Sequence, residues 1–252
     1  MVFILNQAMY SQIKKILKSV IPNKLWHQYE ATFRSMVYLY YKGNNFKCNI
    51  CEAQLKSFVH LANKDLLCPR CGSLPRTRRL YQLLGTHQFL NGHFLHFSPP
   101  KSLYQKLTIL PDIQYLSSDF DNEFLATYQF DLTNIALEQD TIDSFVAYHV
   151  LEHIEADLQA IKELYRVTKK GGKGLIQTPF KKGEIYEDFS IQSPEERLLH
   201  FGQADHVRIY NVKGLQSRLA SVGFTVEILS FTAKENNYHG FKTKETVLLV
   251  RK

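Results

Sequence analysis

Four cysteines form two close pairs, Cys48 with Cys51 and Cys68 with Cys71. Sixteen residues separate the pairs, a spacing typical of structural zinc sites. Each CxxC turn directs two sulfurs at one point, so that two turns complete a tetrahedron around one ion. Since all four ligands then come from the protein, no coordination position stays open. We therefore predict a structural metal, zinc or iron held in the same way, rather than a catalytic one.

Four of the ten histidines are candidate general bases, because the imidazole pKa lies near neutral pH. Glu152 follows His149 by three residues and precedes His153, so the three side chains would share one face of a helix that began there. We expect His153 to hydrogen-bond the backbone of this turn. His200 and His206 lie in a polar, glycine-containing stretch, and with His149 they are the predicted catalytic residues. Whether Glu152 and His153 also bind a second metal stays open at this stage.

Short apolar strands alternate with helical segments from residue 92 onward. The helical pattern covers about 100–107, 156–168 and 212–221. Candidate strands are Phe94–Phe97, Gln114–Ser117, Tyr128–Phe130, Ser144–Tyr148, Gly174–Gln177, Val226–Ser230 and Thr246–Val250. This alternation requires crossover connections and predicts an α/β fold with a mostly parallel sheet. The segment between the last two strands has no helical period, which favours an antiparallel hairpin at the sheet edge.

Several strings together resemble class I S-adenosylmethionine-dependent methyltransferases, and more narrowly the bacterial proteins of this group that carry an N-terminal CxxC…CPxCGS module. The strings are Cys68–Ser73, His149–Ile154, Glu163–Val167 with Lys170–Gly172, and His200–Gln203 with Asp205–Arg208. Their order and spacing are more specific than any one of them, and the resemblance spans about residues 40–252. It implies a Rossmann-like, mostly parallel, seven-stranded sheet whose last strand is antiparallel.

The resemblance also implies a site for S-adenosylmethionine beyond the carboxyl ends of the strands, where open α/β sheets bind ligands. Ser98 and Lys101 follow the first strand and would face the methionine part of the cofactor, with Lys101 pairing with its carboxylate. Asp119 ends the second strand and would accept hydrogen bonds from both ribose hydroxyls.

The next two strands complete this implied site. Asp131 would accept a hydrogen bond from the adenine amine, Leu132 would pack on the ring, and His149 would lie nearest the reactive methyl. An alternative is that Asp119 and Asp131 only cap the turns that follow them, as aspartates commonly do.

The first loop departs from the family pattern, which is rich in glycine. No glycine occurs between Gly92 and Gly171, and the loop contains Pro99 and Pro100. The two prolines remove two backbone donors from the start of the next helix. This departure predicts weaker cofactor binding or a site that has lost its activity.

We predict three parts: a helical segment at 1–45, a zinc ribbon or knuckle at 46–74, and a methyltransferase domain at 75–252. Ile13, Ile16, Leu17 and Val20 form one helical stripe, and Pro22 ends that helix. A second amphipathic segment, rich in aromatic residues, runs from about residue 25 to 41. We expect its apolar face to pack on the main domain; a membrane-surface or partner-binding face is the alternative.

The chain has 252 residues and a net charge of +7, with a composition that excludes disordered, collagenous and coiled-coil proteins. We expect no membrane span, no secretory leader and a cytoplasmic location, and the sequence leaves the oligomeric state unknown. The one dense basic cluster is Arg70, Arg76, Arg78 and Arg79.

The leading functional prediction is an enzyme that methylates an oxygen or nitrogen of a small molecule or a glycan intermediate. One alternative is an RNA methyltransferase in which the zinc module and the basic cluster bind RNA. A second is a binding scaffold that kept the fold and lost the cofactor.

Overall fold

A computed structural model describes residues 23–232 and 236–252, with side chains from residue 30 onward. The predicted stripe Ile13–Val20 lies outside the described residues. The chain divides into two compact units, one comprising residues up to His87 with Thr232–Glu245, the other Gln88–Phe231 with Thr246–Lys252. The three-part division of the chain stays a prediction, although residues 75–86, predicted with the methyltransferase domain, lie in the first unit.

The first unit is built from two helices and four short strands. These are α1 (Asn23–Tyr41), β1 (Lys42–Lys47), β2 (Gln54–Leu55), β3 (Val59–His60), β4 (Leu66–Leu67) and α2 (Pro75–Thr86). β1 pairs with β2 and β3 with β4, both antiparallel. Phe33 and Tyr41 of α1 pack in a core with Cys48 and Cys68, so the second amphipathic segment is a helix whose apolar face covers the cysteine region.

The second unit contains the large sheet. Its elements are β5 (Gly92–Phe97), α3 (Lys101–Leu107), β6 (Ile113–Ser118), β7 (Ile142–Tyr148), a 3-10 helix (Leu151–His153), α4 (Asp157–Val167), β8 (Thr168–Gln177), β9 (Tyr186–Glu187), α5 (Pro194–Phe201), β10 (Arg208–Ile209), α6 (Val212–Val222), β11 (Thr225–Thr232) and β12 (Lys244–Arg251). The strand order is β11-β12-β8-β7-β5-β6. Within the described residues, no helix has the length and apolar character that crossing a bilayer requires.

The sheet confirms the predicted fold class. β5 pairs in parallel with β6 and β7, and β7 with β8, whereas β12 runs antiparallel to β8. After β6 the chain passes to the other side of β5, so the strand order reverses there. In open α/β sheets this reversal leaves a crevice at the carboxyl ends of the central strands, here β5 and β7.

Within the described residues the sheet has six strands, where the sequence predicted seven. The segment Tyr128–Phe130 makes only an isolated bridge between Ser118 and Tyr128. The Phe130 backbone N–H then donates to the Ser118 hydroxyl at 2.8 Å. The Phe130 N–H is thus bonded to a side chain instead of a backbone carbonyl, so the strand pairing does not continue.

Packing of helices on the sheet buries one continuous apolar core. Phe145 of β7 and Leu248 of β12 contact this core from the sheet, and Leu164 of α4 and Leu219 of α6 cover it. All four side chains are fully buried. This core fixes the strand ends that form the crevice.

We predict that His96 makes the protein sensitive to acid. Burial in β5 lowers the pKa of His96 from 6.5 to about 3. The folded state therefore holds the ring neutral, while the unfolded chain takes up a proton below about pH 6.5. Stability from this residue is complete above pH 6.5, declines toward pH 3, and falls by about 2 kcal/mol by pH 5.

Urea unfolding at pH 7 and pH 5 measures this effect. The His96→Asn variant should lose about 2 kcal/mol less than the wild type between the two pH values. An equal loss in both proteins would show that His96 does not set the acid response.

Candidate active site and cysteine cluster

Ser98 forms the turn after β5 and contacts the end of β6. Its φ is +46°, in the left-handed region where glycine is favoured. The Ser98 N–H donates to Ser118 O at 2.7 Å, and its hydroxyl donates to Asp119 Oδ1 at 2.8 Å. A serine thus supplies the tight turn that glycine provides in the family pattern, and its hydrogen bonds offset the backbone strain.

Asp119, the predicted ribose ligand, is almost fully buried at the end of β6. Its Oδ2 accepts a hydrogen bond from the Phe124 N–H at 3.0 Å, in addition to the Ser98 bond on Oδ1. The capping role that we held as an alternative is therefore present. A carboxylate has about four acceptor sites, so this carboxylate retains acceptor capacity for hydroxyl groups.

The structure gives less support to three of the predicted cofactor contacts, those of Asp131, Leu132 and Lys101. Asp131 is exposed, and its Oδ1 accepts from the Thr133 N–H at 2.8 Å and the Thr133 hydroxyl at 2.7 Å. Leu132 packs in the apolar core of the second unit. Lys101 is exposed at the first position of α3. Asp131 therefore caps its own turn, and the predicted cofactor contacts of the three residues stay predictions.

His149 follows β7 directly and also adopts a left-handed backbone, with φ of +55°. Its N–H donates to Gln177 O at 2.8 Å, which fixes the turn to β8. The ring Nδ1 lies 3.3 Å from Glu152 Oε1, and Nε2 is buried without a hydrogen-bond partner. A histidine whose one nitrogen faces a carboxylate and whose other is unoccupied has the arrangement of a general base.

The side chains of Glu152, His153 and His206 meet beside His149. One potential ligand atom from each of the three lies within 4.8 Å of the others. The His153 and His206 rings are perpendicular, with centroids 4.7 Å apart. His153 Nδ1 lies 3.2 Å from Asp205 Oδ2, so its side chain contacts a carboxylate where we expected a backbone group.

Burial and charge together set the protonation of this group. The pKa of His206 is lowered, first because burial disfavours the charged ring and then because His153 lies beside it. Glu152 and Asp205 act in the opposite direction. His206 is therefore held neutral at physiological pH, with a ring nitrogen available as an acceptor or ligand.

Arg208 joins the two segments that carry these side chains. It is 1% exposed, and its guanidinium donates to the carbonyls of Leu151 (3.2 Å), Ile154 and Glu155 (2.7 Å). Its Nε donates to Glu187 Oε2 at 2.8 Å. The Val207 N–H also donates to Glu152 O at 2.9 Å. The turn after β7 is thereby fixed against the segment that carries His206.

His200, the third predicted catalytic residue, contacts other groups. It lies in the last turn of α5, and its Nδ1 is 2.7 Å from the Tyr186 hydroxyl. The start of α5 has a capping box between Ser193 and Glu196. The string Ser193-Pro194-Glu195-Glu196 is a helix-start signal that our sequence reading did not use.

The four cysteines lie in the first unit with a geometry that fits one metal ion. Cys48 Sγ is 3.7 Å from Cys71 Sγ, and Cys51 Sγ is 3.7 Å from Cys68 Sγ. Four sulfurs at about 2.3 Å from a central ion would be about 3.8 Å apart in a tetrahedron. The cysteines are reduced and half or fully buried, so the chemistry and spacing of the donors suit zinc.

The cysteines alter one another's pKa values, because their sulfurs are hydrogen-bonded to one another. Hydrogen bonds from Cys51, and then from Cys68 and Cys71, lower the pKa of Cys48. Hydrogen bonds to Cys48 and the other two sulfurs raise the pKa of Cys68. Removal of the remaining protons requires a compensating positive charge, which a divalent ion supplies.

Arg78 lies beside this cluster, and its burial shows that the predicted basic cluster is not all at the surface. It is fully buried, and it donates to the carbonyls of Ser73 and Gly240, both at 2.6 Å. Arg79 is 8% exposed and pairs with Glu245 at 3.6 Å. Arg70 and Arg76 are exposed. Half of the basic cluster is therefore interior, because Arg78 and Arg79 satisfy buried acceptors.

We predict that Arg208→Met costs about 3 kcal/mol of unfolding free energy, because it leaves three backbone carbonyls and Glu187 with fewer donors in a buried site. Arg197→Met is the matched control. Arg197 pairs with the half-exposed Glu155 at 3.2 Å, and its loss should cost under about 1 kcal/mol. Similar values in denaturant unfolding would contradict the role given to Arg208.

Comparison with known proteins gives a family match within the second unit. The family model described as a methyltransferase domain matches residues 111–176, about a quarter of the chain. This segment runs from β6 to β8 and contains Asp119, His149 and Glu152. A comparison with proteins of curated function gives no match.

Two solved structures share the fold. A SAM-dependent methyltransferase from Archaeoglobus fulgidus is 12% identical, with a TM-score of 0.50 over 70% of this chain and 94% of that one. The [4+2]-cyclase SpnF is 14% identical, with a TM-score of 0.50 over 69% of this chain and 80% of that one. At this identity the likeness concerns the fold, which hosts more than one reaction. The matched family segment and the fold together support a methyltransferase enzyme.

Proposed function

We propose that the second unit binds S-adenosylmethionine at the carboxyl ends of β5, β6 and β7 and methylates an oxygen or nitrogen of a small molecule or a glycan intermediate. The observation that carries this proposal is the position of His149 directly after β7, with its Nδ1 3.3 Å from a carboxylate oxygen of the buried Glu152. A methyl donor supplies an electrophilic carbon, and its transfer requires an aligned nucleophile that has lost a proton.

His149 has the position and chemistry to take that proton. Its Nε2 is buried and has no hydrogen-bond partner. Glu152, 3.3 Å from Nδ1, stabilises the ring once it becomes cationic. His149 would accept the proton of a substrate hydroxyl or amine on Nε2 as the nucleophile takes the methyl group, and would later release it to water. The bound donor would supply that methyl group and leave as a neutral thioether.

Asp119 is proposed to bind the ribose of the cofactor, and Ser98 orients this carboxylate through its hydrogen bond of 2.8 Å. Lys101 is proposed to pair with the cofactor carboxylate, while Asp131 and Leu132 border the adenine. Asp119 is the best supported of these residues, because it is buried, ends β6 and accepts a hydrogen bond from Ser98, which follows β5 at the reversal of strand order.

Calorimetry with S-adenosylhomocysteine tests the cofactor site. Asp119→Asn keeps an acceptor for the Phe124 N–H but removes the charge, and a hydrogen bond to a charged group contributes about 1.5–3 kcal/mol. We therefore expect the dissociation constant to rise tenfold or more.

Asp188→Asn makes the same change on an exposed carboxylate that accepts hydrogen bonds from Ser190 in its own turn, and should alter the affinity much less. Unchanged binding in Asp119→Asn would remove the ribose assignment. Absence of binding in the wild type would remove the methyl-transfer proposal itself.

We also propose that the cysteine cluster holds one structural zinc ion. The sulfur–sulfur distances of 3.7 Å support this assignment. Ser73 lies 3.3 Å from Cys48 Sγ, and Arg78 donates to the Ser73 hydroxyl at 3.3 Å. These groups stabilise the negative charge that four thiolates leave on the site.

Cys68→Ser should lose the metal and destabilise the first unit, since the remaining sulfurs cannot close the tetrahedron. Metal content per chain and thermal unfolding with and without a chelator measure this. Full zinc retention in Cys68→Ser would contradict the four-sulfur site.

The alternatives have less support. RNA binding through the basic cluster is weakened by the burial of Arg78 and Arg79, and a genuine RNA complex would lose affinity steeply with salt. A scaffold without cofactor would show no thermal stabilisation by S-adenosylhomocysteine, whereas a ligand at about 100 times its dissociation constant adds about 2.7 kcal/mol.

A further inference from the structure

We infer that Glu152, His153 and His206 form a binding site for a divalent cation, separate from the cysteine cluster. The three residues come from two segments, the 3-10 helix after β7 and the segment before β10. The inference rests on their own geometry and does not require the proposed methyl transfer.

The distances come close to those of a coordination site. One donor atom from each residue lies within 4.8 Å of the others. An ion bound at about 2.1 Å to nitrogen and oxygen in a tetrahedron holds its ligand atoms about 3.4 Å apart. The three side chains would therefore have to approach one another by up to about 1.4 Å when the ion binds.

Glu152 supplies the independent observation that a ligand belongs here. Its side chain is 1% exposed, yet neither carboxylate oxygen accepts a hydrogen bond. The contact to His149 Nδ1 at 3.3 Å involves one oxygen and lacks hydrogen-bond geometry. A buried carboxylate without hydrogen bonds is costly, and such groups are normally paired or bound to metal. A cation at this point would remove the cost.

His153 is already arranged as a metal ligand. Asp205 Oδ2 lies 3.2 Å from its Nδ1, and a ring that donated from Nδ1 to this carboxylate would keep the Nε2 lone pair for the ion. Carboxylate–histidine–metal arrangements of this kind orient the ring and raise its basicity. His206 is 4% exposed and lies against the His153 ring. It is held in place by the next residue, whose N–H donates to Glu152 O at 2.9 Å.

The donor set indicates the class of ion and its role. Two imidazoles and one carboxylate suit first-row divalent ions such as zinc, iron or cobalt, in contrast to the four sulfurs of the first unit. Three protein ligands leave coordination positions open. The site therefore can bind an oxygen atom of a substrate beside His149, which makes it different in kind from a closed structural site.

Cobalt(II) distinguishes the two sites in one experiment. The metal-free chain is titrated with cobalt, and the bound metal is counted per chain while the absorption spectrum is recorded. We expect two equivalents in the wild type: one with an intense sulfur-to-cobalt charge-transfer band, and one with only the weak bands of nitrogen and oxygen ligands. Glu152→Gln should bind one equivalent and keep the sulfur band.

Glu155→Gln is the matched control, because it makes the same change on a side chain that pairs with Arg197 outside the donor set. It should bind two equivalents. His153→Gln keeps a polar side chain at a proposed ligand position. Like Glu152→Gln, it should bind one equivalent of cobalt and keep the sulfur band. Without metal, Glu152→Gln should unfold at no lower temperature than the wild type, since it removes a buried charge.

The cation site would be contradicted if the wild type bound only one equivalent of cobalt, or if Glu152→Gln still bound two. Neither outcome depends on S-adenosylhomocysteine binding, so failure of the cation site can be told apart from failure of the proposed function.

Discussion

The buried guanidinium of Arg208 joins the turn after β7 to the segment that carries His206, and the candidate active site depends on that contact. The turn has a left-handed residue at its start and carbonyls that no regular element satisfies. Arg208 supplies donors to three of those carbonyls, and Glu187 balances its charge. Asp157, which accepts from Tyr210 and Arg218, anchors the same region to α6. The histidines of the candidate site are thus positioned by a network of buried and half-buried ions.

Ser98 and His149, two left-handed residues that follow β5 and β7, show how a chain without glycine in its first loop still forms the crevice. Each follows a parallel strand at the reversal of strand order, and each donates its N–H to the neighbouring strand, at Ser118 O and Gln177 O. Strain at such positions is typical of functional sites. The diproline that follows Ser98 precedes a short helix, so a cofactor bound here would rely on side chains such as Asp119 more than on backbone donors.

Much of the fold and part of the site could be predicted from the sequence. Strand and helix periodicity located the large sheet, and the cysteine spacing located the cluster, because both are local patterns. Tyr128–Phe130 was wrongly given a strand, since a side chain, Ser118, ended the pairing. The approach of His206 to Glu152 could not be predicted, because it depends on contacts between residues more than fifty positions apart. The burial of Arg78 could not be predicted either, because it depends on which carbonyls lack other donors.

The central claim is that the carboxyl ends of β5, β6 and β7 bind a sulfonium donor beside His149. A crystal structure of the chain with S-adenosylhomocysteine tests it most directly. We expect the ribose hydroxyls at hydrogen-bond distance from Asp119 and the sulfur facing His149, with the ring Nε2 open to a substrate. A ligand bound elsewhere, or a crevice that stays closed by the turn after β5 at saturating ligand, would contradict the claim.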